Sequence, residues 1–207
     1  VFAWLRWVDE MFSTYKPESQ ISRLARGAIA FENAHADVRE VLGRCEQLRV
    51  ATAGFFDVHA AARDGGLDPS ALVKGWSVDR AGELLDGAGA RNYAINAGGD
   101  VLVRGGALPE RRWRIGIRHP VEADAVAKAI EVTELAVATS GAYERGTHIR
   151  DPHTGRPPEG VLSVTVTGPD LGTADAYATA AFTMGAAGPA WTARLSGGYA
   201  ASTILTD

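Results

Sequence analysis

Tyr93-Ala-Ile-Asn-Ala-Gly-Gly-Asp-Val-Leu-Val103 is the stretch in which the chain changes period. Ahead of it, apolar residues recur at helical spacing. From it onward, short runs rich in Val, Ile and Thr are broken by glycine, proline or charge. Strands are expected over 93–96, 101–103, 113–117, 126–132 and 135–139. The alternating Val, Ser and Thr of 161–167 reads as a half-buried strand. On the N-terminal side, residues 1–12 are apolar enough for a buried amphipathic helix, and Pro17 and Ser19 then punctuate the chain before Ile21 and Leu24. A second helix is expected over 38–51, with Val41, Leu42, Cys45, Leu48 and Val50 as its stripe, and a third over about 74–85, stopped by Gly87 and Gly89. On the C-terminal side follow a helix over about 173–184, another near Trp191, and a strand over 199–205. Helices that flank a block of strands give an α+β class rather than alternating βαβ units. With no internal repeat or linker, residues 1–207 are expected to form a single domain.

Composition narrows the function classes. Of 207 residues, 46% are hydrophobic and 22% charged, the balance of a folded globular chain. A formal net charge of -4 argues against general nucleic-acid affinity. No apolar run reaches the length of a membrane span. Cys45 is the single cysteine, which excludes an intramolecular disulfide and a cysteine metal cluster, and it reads as a packing residue. The chain begins at Val1 without an initiator methionine, and an upstream segment is expected; the compartment is left open.

Three stretches carry chemistry. In Gly172-Thr-Ala-Asp-Ala-Tyr-Ala-Thr179, Thr173 reads as an N-cap, which places Asp175 in the first helical turn. Asp175 and Thr179 lie four apart, on one helix face. A carboxylate and a hydroxyl side by side near a helix start suit a hard cation that bridges to phosphate. On spacing alone the plainer account, a first-turn acid with a threonine bonded back to its helix, stands ahead. In Thr147-His-Ile-Arg-Asp-Pro-His-Thr-Gly-Arg-Pro157, Pro152 and Gly155 impose a tight turn that Asp151 can cap. His148 precedes that turn, where it could touch a ligand, although His148 and His153 taken singly read as structural or exposed. In Asp68-Pro-Ser-Ala-Leu-Val-Lys-Gly-Trp-Ser-Val-Asp-Arg80, an irregular segment enters a helix. Gly75 permits close backbone approach, and the helix start offers N–H groups to a phosphate. Lys74 and Asp79 there fit a solvated helix face equally well.

Asn96-Ala-Gly-Gly-Asp100 links two strands and fits a ligand contact or a plain hairpin turn. Ala138-Thr-Ser-Gly141 ends a strand with small residues that would let a planar ring approach. Neither the Gly-x-Gly-x-x-Gly fingerprint nor a Walker-type loop is present, so the common nucleotide folds are not supported.

Taken together and in this order, the segments resemble the ApbE family of FAD:protein FMN transferases. The matching pieces are Ser13-Thr-Tyr-Lys-Pro-Glu-Ser-Gln-Ile-Ser-Arg-Leu24, Gly54-Phe-Phe-Asp57, Lys74-Gly75 with Val78-Asp79, and Asn96-Ala-Gly-Gly99. Ala138-Thr-Ser-Gly141, His148-Ile-Arg-Asp-Pro-His-Thr-Gly155 and Ala174-Asp-Ala-Tyr-Ala-Thr179 complete them. The chain departs from the family in lacking the strand with Met-Gly-Thr, in Pro69-Ser-Ala where many relatives carry glycines, and at Arg150, usually apolar.

The resemblance implies a T-fold-like α+β architecture, with mixed or antiparallel sheets packed against helices and FAD between the lobes. It implies magnesium held by Asp175, Thr179 and the backbone carbonyl of Ala71. Lys74 falls in the matched cofactor-binding segment, Asp79 at the adenine end of FAD, Tyr15 near the nucleotide, Ser140 in the flavin pocket. His148 matches the histidine that assists transfer, which with Asp175 makes the expected catalytic set. The implied reaction moves FMN from FAD onto a Ser or Thr hydroxyl of a target protein and releases AMP. Family acceptors carry a short Asp-x-x-Ser/Thr-Gly-Ala-Ser/Thr motif, of which this chain has no close copy. Two alternatives share the same residues: a magnesium-dependent FAD pyrophosphatase, and a flavin-binding protein without catalysis.

Overall fold

The computed structural model describes residues 1–62, 66–108, 111–122, 124–141 and 149–206. Three helices come first: α1 (Phe2–Phe12), α2 (Gln20–Ala25) and α3 (Ala36–Ala51), and then α4 (Ser70–Gly87). Seven strands follow, β1 (Tyr93–Ala97), β2 (Asp100–Arg104), β3 (Trp113–Arg118), β4 (Val126–Val132), β5 (Leu135–Gly141), β6 (Val161–Gly168) and β7 (Ala200–Leu205). Between the last two strands run α5 (Leu171–Thr183) and α6 (Gly188–Thr192). The main sheet has the order β1-β2-β5-β6-β7, and β3 and β4 pair separately. Every described pairing is antiparallel, so the α+β class expected from the sequence holds, with antiparallel sheets.

Strand alternation sorts the sheet into two faces. Leu102, Ala136, Ala138, Val164 and Val166 point toward Leu171, Ala174, Ala178, Ala181 and Phe182 of α5. Val103 and Val137 point the other way and pack on Ile115 of the β3–β4 hairpin. A separate helical core gathers Val8 and Phe12 of α1, Ile21 of α2, Val38, Val41, Cys45 and Leu48 of α3, and Leu72 and Trp76 of α4. Burial pushes the Cys45 thiol up to about 12, so it stays protonated and packs as a small apolar group. α5 serves both cores: its Ala176 and Ala180 belong to the helical one, its Ala174, Ala178 and Ala181 to the sheet. That is why it carries no solvated polar face; a helix covered on all sides is largely apolar all round.

Three boundaries differ from the sequence reading. α4 begins at Ser70, so Lys74 and Gly75 lie in its second turn rather than at its start. α5 begins at Leu171 with Asp170 as N-cap, its side chain accepting from the Thr173 N–H at 2.8 Å. Thr173 is thus inside the helix, and Asp175 is in the second turn. α2 forms where only punctuation was read, with Ser19 as its cap accepting from Ser22 N–H.

Candidate functional site

The crossing of α4 over α5 sets the site. A Cβ added at Gly75 would stand 2.4 Å from the Leu171 carbonyl oxygen and 2.7 Å from Gly172 Cα. Gly172 in turn lies against the Trp76 backbone, where a Cβ would meet the nitrogen at 3.1 Å. Only two glycines let the helices approach this closely. The close approach expected at Gly75 is therefore real, and its partner is a helix backbone.

Asp79, one helical turn beyond Gly75, ties the same crossing. Its carboxylate accepts N–H groups from Leu171 at 2.8 Å and Gly172 at 2.9 Å. Asp170 takes the Thr173 N–H and is itself held by Arg44 at 3.2 Å and by the Tyr199 hydroxyl. The opening N–H groups of α5 are thus consumed by two carboxylates, and the helix start presents no open anion cradle there. Burial raises the Asp79 carboxyl from 3.8 to about 6, against the two N–H donors that favour its charge. The native chain therefore binds one more proton than the unfolded chain between about pH 4 and pH 6. The stabilisation is fully present below that window and is lost as pH rises through about 6. Asp79→Asn keeps an acceptor oxygen but cannot titrate. In urea unfolding at pH 4.5 and pH 7, wild type should lose about 2 kcal/mol relative to Asp79→Asn on going to the higher pH. Equal pH dependence in the two proteins would rule this out.

Next to the crossing lie five side chains from four segments. Lys74 of α4 places its ammonium 2.6 Å from Asp100 Oδ2 and 3.6 Å from Asp175 Oδ2. The two carboxylate side chains are only 2% and 4% exposed. Asp100 opens β2 and accepts the Thr139 N–H from β5 at 3.1 Å. Ser140, next along β5, meets the Thr179 hydroxyl of α5 at 3.2 Å. Asp175 and Thr179 do share one face of α5, as their spacing implies.

Neither Asp100 Oδ2 nor Asp175 Oδ2 has a directed hydrogen-bond partner among the described residues, although both are fully buried. The Lys74 ammonium, 2.6 Å from one and 3.6 Å from the other, is the charge that faces them among the described residues. Burial lifts the Asp175 carboxyl well above the usual carboxylate range, and the charge of Asp100 adds to this, while Lys74 opposes it. Buried carboxylate oxygens that face a single ammonium, with hydroxyls beside them, are a donor set for a hard cation. Magnesium fits these residues. Among the described residues no three His, Cys, Asp or Glu side chains cluster as metal ligands, so hydroxyl and carbonyl oxygens would have to complete its shell.

Lys74, Ser140, Asp175 and Thr179, expected from the sequence, are thus brought together. Ala71 lies in the first turn of α4, one turn before Gly75 and packed on the helical core. Tyr15 follows α1 and is 83% exposed, with no ring contact among the described residues. His148 lies outside the described residues. The turn after it is described: Asp151 accepts from His153 N–H and the Thr154 hydroxyl, at 2.9 and 2.8 Å. His153 sets its ring edge-on to Phe55 at 4.6 Å, over Gly54, and so docks this turn on the helical lobe.

Asp100 is the residue that sequence reading missed. Gly98 and Gly99, both at positive φ, form a two-residue hairpin turn with Ala97 opposite Asp100. The turn is structural and delivers Asp100 to the helix side of the sheet. The signal was present, since an aspartate opening a strand on the same face as Leu102 is destined for burial. A cleft of about 360 Å³ between the hairpin and the main sheet, lined by His119, Lys128, Ser163, Thr165 and Ser202, contains none of these residues.

Comparison with known proteins follows this geometry. The model of the ApbE family matches residues 59–203. A curated FAD:protein FMN transferase of Vibrio cholerae is 39% identical over 129 residues, covering 58% of this chain and 39% of that protein. One from Treponema pallidum is 33% identical over 172 residues, covering 72% of this chain and 48% of its own length. The chain thus spans less than half the length of these curated relatives. The solved structure of the flavin transferase ApbE from Vibrio cholerae superposes with a TM-score of 0.83 at 26% identity, covering 98% of this chain and 86% of that one.

Proposed function

The chain belongs to the ApbE family, and on that premise we propose that it transfers FMN from FAD to a Ser or Thr hydroxyl of a target protein. The observation that carries the reading is the pair of buried carboxylates, Asp175 and Asp100, gathered around the Lys74 ammonium beside the Thr179 and Ser140 hydroxyls. Curated relatives sharing this region bear the name FAD:protein FMN transferase.

In this reading Asp175, Thr179 and the Ala71 carbonyl hold magnesium. When bound, the metal supplies charge neutralisation at the diphosphate. The acceptor oxygen forms a bond to the FMN phosphorus, the phosphoanhydride bond breaks, and AMP departs with the bond's electron pair. His148 takes the hydroxyl proton. Lys74 adds a second positive charge beside the site, where little covalent chemistry is asked of the protein and positioning dominates. Ser140 fixes Thr179 through its hydroxyl and borders the flavin, Tyr15 lies toward the nucleotide, and Asp79 meets the adenine end with the lone pairs that α5 leaves it. FAD sits between the lobes, and residues 1–207 act as one domain.

Incubation with FAD, magnesium and a peptide bearing the Asp-x-x-Ser/Thr-Gly-Ala-Ser/Thr motif, followed by mass spectrometry, tests the proposal. The expected result is peptide heavier by FMN with stoichiometric AMP, and loss of both in His148→Ala. Free FMN with AMP would mark a pyrophosphatase instead, and retained FAD without AMP a flavin-binding protein.

A further inference from the structure

We propose that Asp100 is a positioning residue whose job is to hold the Lys74 ammonium away from Asp175, so that Asp175 keeps an oxygen for the cation. The inference rests on the reading of Asp175 as a cation ligand and gives Asp100, to which that reading assigns no role, a task of its own.

Lys74 reaches the site from the second turn of α4 and stands between two buried carboxylates. It is 2.6 Å from Asp100 Oδ2 but 3.6 Å from Asp175 Oδ2. The distances are unequal because Asp100 is the better-anchored acceptor. It begins β2 directly after the Gly98-Gly99 turn, and its Oδ1 is fixed by the Thr139 N–H. The two Oδ2 atoms are alike in lacking a directed partner, but among the described residues no N–H group fixes the Asp175 carboxylate as Thr139 fixes that of Asp100. An ammonium is a compact point charge on a flexible stem, and it settles on whichever buried carboxylate is within reach. Without the charge at Asp100, the buried carboxylate that still faces Lys74 among the described residues is Asp175. The ammonium would then occupy the oxygen that a divalent cation needs. In the wild type Lys74 acts as a stand-in cation, parked on Asp100 and close enough to keep the pair of carboxylates neutralised.

The test reads metal affinity rather than turnover. Mn²⁺ alone, titrated into the protein and followed by the electron paramagnetic resonance of the free ion, gives a Kd without FAD. Asp100→Asn retains the Oδ1 acceptor for Thr139 and loses only the charge, and it should weaken Mn²⁺ binding by at least about tenfold. Lys74→Met should bind at least as tightly as wild type. The double variant Asp100→Asn with Lys74→Met should match Lys74→Met to within about twofold, because the competing ammonium is gone. Asp100→Asn binding as wild type does would overturn the proposal. So would a double variant as weak as Asp100→Asn, since Asp100 would then act on the metal directly or through the fold. Wild type that binds no Mn²⁺, or binding that persists in Asp175→Asn, would remove the underlying metal reading and this proposal with it. Mn²⁺ binding lost in Asp175→Asn but unchanged in Asp100→Asn would overturn this proposal and leave the metal reading standing.

Discussion

Asp175→Asn is expected to cut FMN transfer by on the order of a thousandfold while making the protein more resistant to unfolding in magnesium-free buffer. The two halves of the expectation have one cause. Asp175 is buried and shares its surroundings with the charge of Asp100, so its ionised form is disfavoured in the folded chain. Its folded carboxyl titrates above the unfolded one, and the associated stability is present at low pH and lost as pH rises. Asparagine carries no charge to desolvate and gives the pair nothing to repel, yet it is a poor ligand for a hard cation. In thermal unfolding with chelator, the variant should gain about 1 kcal/mol at pH 7.5 and lose that gain as pH falls. In assays with FAD and acceptor peptide it should be inactive at any magnesium concentration. A variant that is both less stable and inactive would mean that Asp175 is a structural acid, and the site would have to be sought elsewhere.

Gly75→Ala is expected to destabilise the fold by about 3 kcal/mol or more, an unfolding midpoint lower by roughly 10 °C. Intrinsic preference points the other way, because alanine in a helix interior is favoured over glycine by about 1 kcal/mol. Geometry overrules preference here: the new Cβ meets backbone, 2.4 Å from the Leu171 oxygen, and backbone within two capped turns cannot swing aside as a side chain can. Gly43→Ala is the control. Gly43 lies inside α3 with nothing near its Cβ position, so that substitution should raise the midpoint. Since Lys74 and Asp175 face one another across the crossing, Gly75→Ala should also lose Mn²⁺ binding at temperatures where it remains folded. If the two alanine variants move the midpoint alike, the tight crossing is wrong.

What the sequence makes legible follows from where the determining forces act. The strands were readable because period-two alternation of β-branched residues reports burial on one face, a local property. The burial of Cys45 followed from its stripe on α3. The start of α5 was misplaced for a tertiary reason: the acids that satisfy its first N–H groups are Asp170, which reads as loop, and Asp79, from a helix distant in the chain. Thr173, a good cap by type, was simply outcompeted. α2 has six residues, too few to show a period. Lys74, Ser140, Asp175 and Thr179 were found by motif, but the same motif gave no hint that Asp100 joins them. The Asn-Ala-Gly-Gly-Asp turn looks like any exposed hairpin until the fold brings Lys74 onto its last residue.

The capping of α5 by a residue of α4 also bears on the order of events during synthesis. A chain emerging from the ribosome holds Lys74, Asp79 and Asp100 well before α5 exists, and Lys74 can already pair with Asp100 at that stage. The opening turn of α5 has its acceptors waiting on α4 and is completed only when the two helices dock, a contact between distant parts of the chain and therefore slow to form. If Asp175 holds a cation as proposed, its binding is tied to this docking. On the proposed reading a half-made chain therefore holds one carboxylate of the pair and no cation site, because Asp175 arrives only with α5.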